Sequence, residues 1–324
     1  MNKLRIFVDF VAPPDALEML RAGTAEHELI FAKTPIASVL TKAERDPLMA
    51  EVDIAFGQPD PDAIERSGQI RWVHISSSGI TRYDNPQFRA FMAERKVMLS
   101  NSAGVYDEAC AVHTLSFMLA QARKLPLSLK SRMPSTARSW QELRNASGTL
   151  FGESVLIVGY GAIGKRLTEL LRPFGMKVTA FRRKPRGDEG IPVVSEAQLP
   201  TALNQADHVV NILPESAETR HFFNRARFAL IKKGAIFYNI GRGATVDQDA
   251  LLEVLRSGQL QAAWLDVTEP EPLPNEHPLW AEPNCFITPH VAGGHADEAK
   301  TLVRHFLTNF DRFVRGEPLL DRVM

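Results

Sequence analysis

The sequence predicts an α/β protein with two parallel, helix-covered sheets, and three observations carry that prediction. Short β-rich runs alternate with helical stretches along most of the chain, which is the crossover pattern a parallel sheet requires. The alternation begins afresh at ESVLIVGYGAIG, after a long helical segment. The length, 324 residues, exceeds what one core ordinarily serves and suits two domains.

The first alternation runs LRIFVDF, a Pro-started helix near Pro14 to Arg21, HELIFA, VDIAFG, a helix around Pro61 to Ser67, and RWVHISS. A helical pattern from about Tyr106 to Lys124 follows, with Ala111, Leu115, Met118, Leu119 and Ala122 at helical spacing, and it reads as an interdomain connection. Lys124 to Ser147 is the most loop-like stretch of the chain. The second alternation continues through MKVTAF, DHVVNIL, GAIFYNIG, QAAWLDV and NCFITPH, apolar runs of the kind buried in an open, doubly wound sheet. From Gly293 a last helical pattern carries Ala299, Leu302, Val303, Phe306, Leu307 and Phe310 on one face to Val314, suited to docking on the N-terminal domain.

Composition narrows the function classes. Lys+Arg 38 against Asp+Glu 38 leaves no global field for nucleic acid or an anionic membrane. A hydrophobic content of 44% with 23% charged residues is that of a globular chain. Cys110 and Cys285 lie far apart without a CxxC partner, so neither a disulfide framework nor a zinc cage is expected, and a reducing, cytoplasmic setting fits. Asp9 and the following prolines interrupt the N-terminal apolar run, and no run approaches the ~18 apolar residues of a membrane span. No metal, nucleic-acid partner or membrane contact is therefore expected.

Gly159-Tyr160-Gly161-Ala162-Ile163-Gly164 is a GxGxxG placed between the strand VLIV and the amphipathic run KRLTELL. In that setting the first glycine permits the tight turn, the second lets pyrophosphate approach the backbone, and the third lets helix meet strand. Backbone N–H groups at Ala162 and Ile163 would open the helix toward phosphate. The next strand ends in Phe181-Arg182-Arg183-Lys184, where a carboxylate would bind a ribose 2′-hydroxyl. The acid is missing, and Arg182 with Arg183 can instead pair with a 2′-phosphate, so NADP is preferred and NAD remains possible.

Three polar residues follow three later strands: Arg242 in NIGRG, Glu271 in the proline-punctuated loop after WLDV, and His290 in ThrProHis. Singly they read as a surface Arg, a solvated Glu and a loop His. Together, behind a dinucleotide fingerprint, they could converge on one crevice at the carboxyl edge of the sheet.

Through GYGAIG, NIGRG, LDVTEPEPLP and ITPHVAGG, in that order over nearly its whole length, the chain resembles the D-isomer-specific 2-hydroxyacid dehydrogenase family. The resemblance implies two Rossmann-like/flavodoxin-like domains with parallel sheets. A discontinuous substrate domain, residues 1–103 and 293–324, would flank a dinucleotide-binding domain of residues 104–292. It implies Arg242 as the clamp on the substrate carboxylate, His290 as acid/base and Glu271 as its partner, Glu269 standing at the wrong offset from Asp266. It further implies substrate contacts from backbone N–H groups at Ser78 and Gly79, and from Trp140 reaching across a homodimer. Asp266 falls near the nicotinamide carboxamide, Leu213, Pro214 and Thr219 line the adenosine side, and Ile240 and Gly293 fall among the cofactor residues. Ala111-Val112-His113 departs from the family's Ala-Glu-His, which leaves His113 as a core or interface histidine.

The implied activity is NADPH-preferring reduction of small 2-oxo acids such as glyoxylate or hydroxypyruvate to D-2-hydroxy acids. Alternatives are a dehydrogenase for larger, branched or aromatic 2-oxo acids, and a non-catalytic NAD(P)H-sensing protein of the corepressor kind.

Overall fold

The computed structural model describes residues 3–36, 44–132, 138–185 and 187–324. The chain divides into two compact units, Met1–Tyr106 with Gly294–Met324, and Asp107–Gly293.

The first unit holds β1 (Arg5–Phe10), β2 (Glu28–Ile36), β3 (Ile54–Gly57), β4 (Trp72–Ile75) and β5 (Met98–Ser100). All pair in parallel in the order β2-β1-β3-β4-β5, the flavodoxin-like order. Its helices start where the sequence supplies starts: Pro14, Pro61 and Pro86 each occupy a first helical position. Asp60 and Asn85 accept from Ala63 N (3.1 Å) and Phe88 N (2.8 Å). The C-terminal helix Glu298–Arg315 lays its apolar face over this sheet, with the Phe306 ring stacked at 4.2 Å on Phe56 and 5.3 Å on Trp72. That burial is what returns the end of the chain to the N-terminal unit.

The second unit contains β6 (Ser154–Val158), β7 (Lys177–Phe181), β8 (Val193–Val194), β9 (His208–Asn211), β10 (Ala235–Asn239), β11 (Leu260–Leu265) and β12 (Cys285–Ile287). The order β12-β11-β10-β9-β6-β7-β8, all parallel, is the doubly wound one with its switch point between β6 and β9. Register carries the fold to the site. Phe181, Val158, Asn211, Asn239, Leu265 and Ile287 lie side by side across six strands at their carboxyl ends. Each of those strands therefore releases its loop at the same edge.

The helix Pro86–Arg95 has no counterpart in the sequence reading, and two further features differ from it. Lys124 to Ser147, expected as loop, contains the helices Leu125–Lys130 and Arg138–Ala146. The first begins with Pro126 in its first turn and the second is largely solvent-facing, so neither presents a broad apolar stripe to read. The strands β5 and β8, three and two residues long, went unread because two or three residues cannot display a period. Among the described residues no helix is long and apolar enough to cross a membrane.

Candidate active site

The three glycines of the β6 turn are constrained in three different ways. Gly159 has φ +96°, and a Cβ there would stand 2.8 Å from the Ile212 carbonyl oxygen. A Cβ on Gly164 would meet Tyr160 Cδ2 at 2.9 Å and Gly159 O at 3.3 Å, so this glycine lets the helix Ala162–Leu171 close on the strand. Gly161 is the opposite case: nothing among the described residues lies within 4 Å of a Cβ built on it. The protein leaves that space open at a helix N-terminus whose first residues, Ala162 and Ile163, receive no side-chain cap. Bare backbone, a positive dipole end and room for a group are what a pyrophosphate needs, so the residues fit a dinucleotide.

The loops after β9 and β10 are locked by two buried amides that the sequence reading did not single out. Asn211 Nδ2 donates to Asn239 Oδ1 (3.0 Å) and to Thr245 Oγ1 (2.7 Å). The amide oxygens of Asn211 and Asn239 in turn accept from Leu213 N (3.2 Å) and Gly241 N (3.1 Å). Thr245 Oγ1 completes the set by donating to the Arg242 carbonyl at 2.6 Å. Approach is so close that a Cβ on Gly241 would fall 2.5 Å from Leu213 O, and one on Gly243 1.9 Å from Thr268 O. Arg242 thus rises from a backbone with little freedom. Its Nη1 donates to Gly241 O (2.6 Å), and no carboxylate among the described residues pairs with it. A half-buried guanidinium without a counter-ion is suited to an anionic ligand. The only hint of the amide lock in the sequence was an Asn at the end of each strand, DHVVN and AIFYN.

His290 follows β12 in a left-handed conformation, φ +54°, and its N–H is held by Asp266 O at 2.8 Å. Its Nδ1 lies 2.7 Å from Glu271 Oε1, both side chains being 24% exposed. Glu269 is directed elsewhere, pairing with Arg220 at 2.8 Å. Asp266 is 1% exposed. Its Oδ1 accepts from Thr288 Oγ1 (2.5 Å) and Val291 N (2.9 Å), and Oδ2 from Ala292 N (2.9 Å). The carboxylate therefore fixes the segment that carries His290 and Gly293 and keeps almost no surface for a ligand. His113, read from sequence as a core or interface residue, stands beside this strut, with Nε2 3.3 Å from Thr288 Oγ1 and 3.7 Å from Asp266 Oδ1. Burial pushes its pKa down against the pull of Asp266.

The remaining residues of interest are spread along the same edge or elsewhere. Arg182, next after β7, is bound through Nη1 to Glu189 Oε1 at 3.2 Å, while Arg183 is exposed. Leu213 and Ile240 are buried at the strand ends, Pro214 is exposed, and Thr219 closes a turn by donating to Pro214 O at 2.6 Å. Trp140 sits on the helix Arg138–Ala146, its ring 4.8 Å from the Arg144 guanidinium. In the first unit, Ser78 and Gly79 follow β4 in a loop held by Asn101 Nδ2 on Ser78 O and Ser77 Oγ on Gly79 O, both at 2.7 Å.

Residues 115–292 match the family model described as "D-isomer specific 2-hydroxyacid dehydrogenase, NAD binding domain". A glyoxylate reductase of Aeropyrum pernix is 30% identical over 324 residues, covering 98% of this chain and 95% of that protein. A human glyoxylate reductase/hydroxypyruvate reductase is 32% identical over 228 residues, 70% of each chain. Among solved structures, the apo D-mandelate dehydrogenase of Rhodotorula graminis superposes with a TM-score of 0.83 at 23% identity, over 100% of this chain and 98% of that one, a likeness of fold.

Proposed function

The chain belongs to the D-isomer-specific 2-hydroxyacid dehydrogenase family, NAD(P)-dependent oxidoreductases, and from that premise we propose that it reduces small 2-oxo acids of the glyoxylate and hydroxypyruvate class to D-2-hydroxy acids, preferring NADPH. The observation that carries the reading is the 2.7 Å contact between His290 Nδ1 and Glu271 Oε1, one strand away from a guanidinium with no carboxylate partner among the described residues.

With Nδ1–H donating to Glu271, His290 keeps Nε2 for the substrate. Glu271 sets the ring orientation through that bond, so Nε2 is the nitrogen left to hand a proton to a carbonyl oxygen. Arg242 binds the carboxylate of the oxo acid through its planar fork, which fixes the carbonyl relative to His290. A nicotinamide dinucleotide held at this edge would supply the hydride for the carbonyl carbon. The chain holds the dinucleotide at Gly159, Gly161 and the start of the helix Ala162–Leu171, and Arg182 receives the 2′-phosphate that distinguishes NADPH. Asp266 works indirectly here, by fixing the segment Val291–Ala292.

The active form is a homodimer. Leu125 and Leu129, 42% and 83% exposed, stand one turn apart on the short helix Leu125–Lys130, a small apolar spot suited to a second copy. Trp140 and Leu125 border the same surface depression, which supports assigning Trp140 to that contact region.

The test is steady-state oxidation of NADPH, and separately NADH, with glyoxylate, hydroxypyruvate and phenylpyruvate. Rapid turnover of the two small acids with NADPH is expected. Dinucleotide binding without turnover of any of the three would replace the reductase by a sensor or by an enzyme for another substrate.

A further inference from the structure

A carboxylate from further along the chain, Glu189, meets the arginine that follows β7. Arg182 stands at the carboxyl edge immediately beside the glycine turn, since Gly159 N donates to Phe181 O at 3.0 Å. Its Nη1 lies 3.2 Å from Glu189 Oε1, with the two side chains 19% and 3% exposed. The second carboxylate oxygen of Glu189 accepts from Gly187 N at 2.8 Å, so the acid is fixed by backbone as well as by charge. Surface pairs of this protein are different in kind: Arg138 and Glu142, for example, are 93% and 62% exposed, where water and side-chain entropy cancel most of the attraction.

We propose that Glu189 is a specificity-determining residue that opposes 2′-phosphorylated dinucleotides by occupying the Arg182 guanidinium. The inference rests on the reading that Arg182 receives the 2′-phosphate. Carboxylate and phosphate use the same fork of N–H donors, so a phosphate on Arg182 must displace Glu189 or share the guanidinium with it. In either case a shielded anion remains close to an incoming dianion and repels it. A dinucleotide with a free 2′-hydroxyl needs no such displacement, so the effect falls on NADP(H) alone. Glu189 thereby narrows the cofactor preference that Arg182 creates.

Calorimetric titration of NADP+ and NAD+ into the wild-type protein, Glu189→Gln and Arg182→Ala tests this without reference to turnover. Gln keeps an acceptor for Gly187 N while removing the charge. Glu189→Gln is expected to tighten NADP+ by about tenfold and to leave NAD+ nearly unchanged. An unaltered or lowered NADP+ preference in Glu189→Gln, with NADP+ weakened in Arg182→Ala, would overturn the role of Glu189 and leave that of Arg182 standing. Unchanged NADP+ affinity in Arg182→Ala would overturn both. Glu189→Ala, read on the same ratio with NAD+ affinity as the control for folding, replaces the Gln variant if that one does not fold.

Discussion

Glu271 and His290 meet through one hydrogen bond, Oε1 to Nδ1 at 2.7 Å, although they arrive on loops from different strands, β11 and β12. The contact decides which histidine nitrogen is left for chemistry. Glu271→Gln keeps an oxygen in place but weakens the hydrogen bond that holds Nδ1–H, and the proposed acid step should slow. A fall in kcat of roughly 10²-fold, with NADP+ affinity unchanged by titration, is expected; kcat within twofold of wild type would remove Glu271 from the mechanism.

Arg242 differs from Lys in shape as much as in charge. Arg242→Ala should raise KM for the oxo acid strongly, and Arg242→Lys should not restore it, because an ammonium cannot form the bidentate fork. Steady-state kinetics on both variants decide this, and full rescue by Lys would show that a point charge suffices.

The glycine turn separates folding from binding. A methyl group at Gly159 meets the Ile212 carbonyl at 2.8 Å in a positive-φ conformation, so Gly159→Ala should cost about 1–3 kcal/mol of stability. At Gly161 a methyl group meets nothing among the described residues. Gly161→Ala should keep its Tm yet weaken NADP+ and NAD+ alike, by about tenfold or more. Equal thermal and binding profiles for the two variants would contradict the assignment of separate roles.

Asp9 ends up buried near the carboxyl end of β1, where desolvation pushes its carboxyl up to about 7, against the pull of Gln58 N (2.5 Å) and Arg82. In the unfolded chain it titrates near ~3.9. Between those values the folded state holds a proton that the unfolded state has lost, so stability falls as pH rises from about 4 to 7 and stays reduced above. Asp9→Asn removes that cost. It should stabilise the protein by about 1–3 kcal/mol near pH 8 and by little near pH 4, as urea unfolding at the two pH values would report. An equal effect at both would show that ionisation of Asp9 is not the cause.

Much of this architecture was legible in the residues because parallel strands buried on both faces announce themselves as apolar runs, and because glycine spacing reports a turn with three separate constraints. The polar residues at strand ends were legible as candidates for the same reason: one sheet edge collects every loop. What escaped notice depends on the third dimension. Asn211 and Asn239 look like any polar strand ends until register places them side by side. Glu189 lies several residues beyond Arg182 in a Gly- and Pro-rich segment, and only the path of that loop brings it to the guanidinium. His113 gave no signal of its proximity to Asp266, because helix and strand are far apart in the chain.

The central claim is that His290 delivers the proton that accompanies hydride transfer, and the measurement that addresses it most directly is kcat for glyoxylate reduction by His290→Ala beside NADPH affinity of the same variant. A loss of about 10²–10⁴-fold in kcat with near-normal NADPH binding is the predicted result. Undiminished kcat would contradict it and remove His290, and with it the Glu271 contact, from the chemistry.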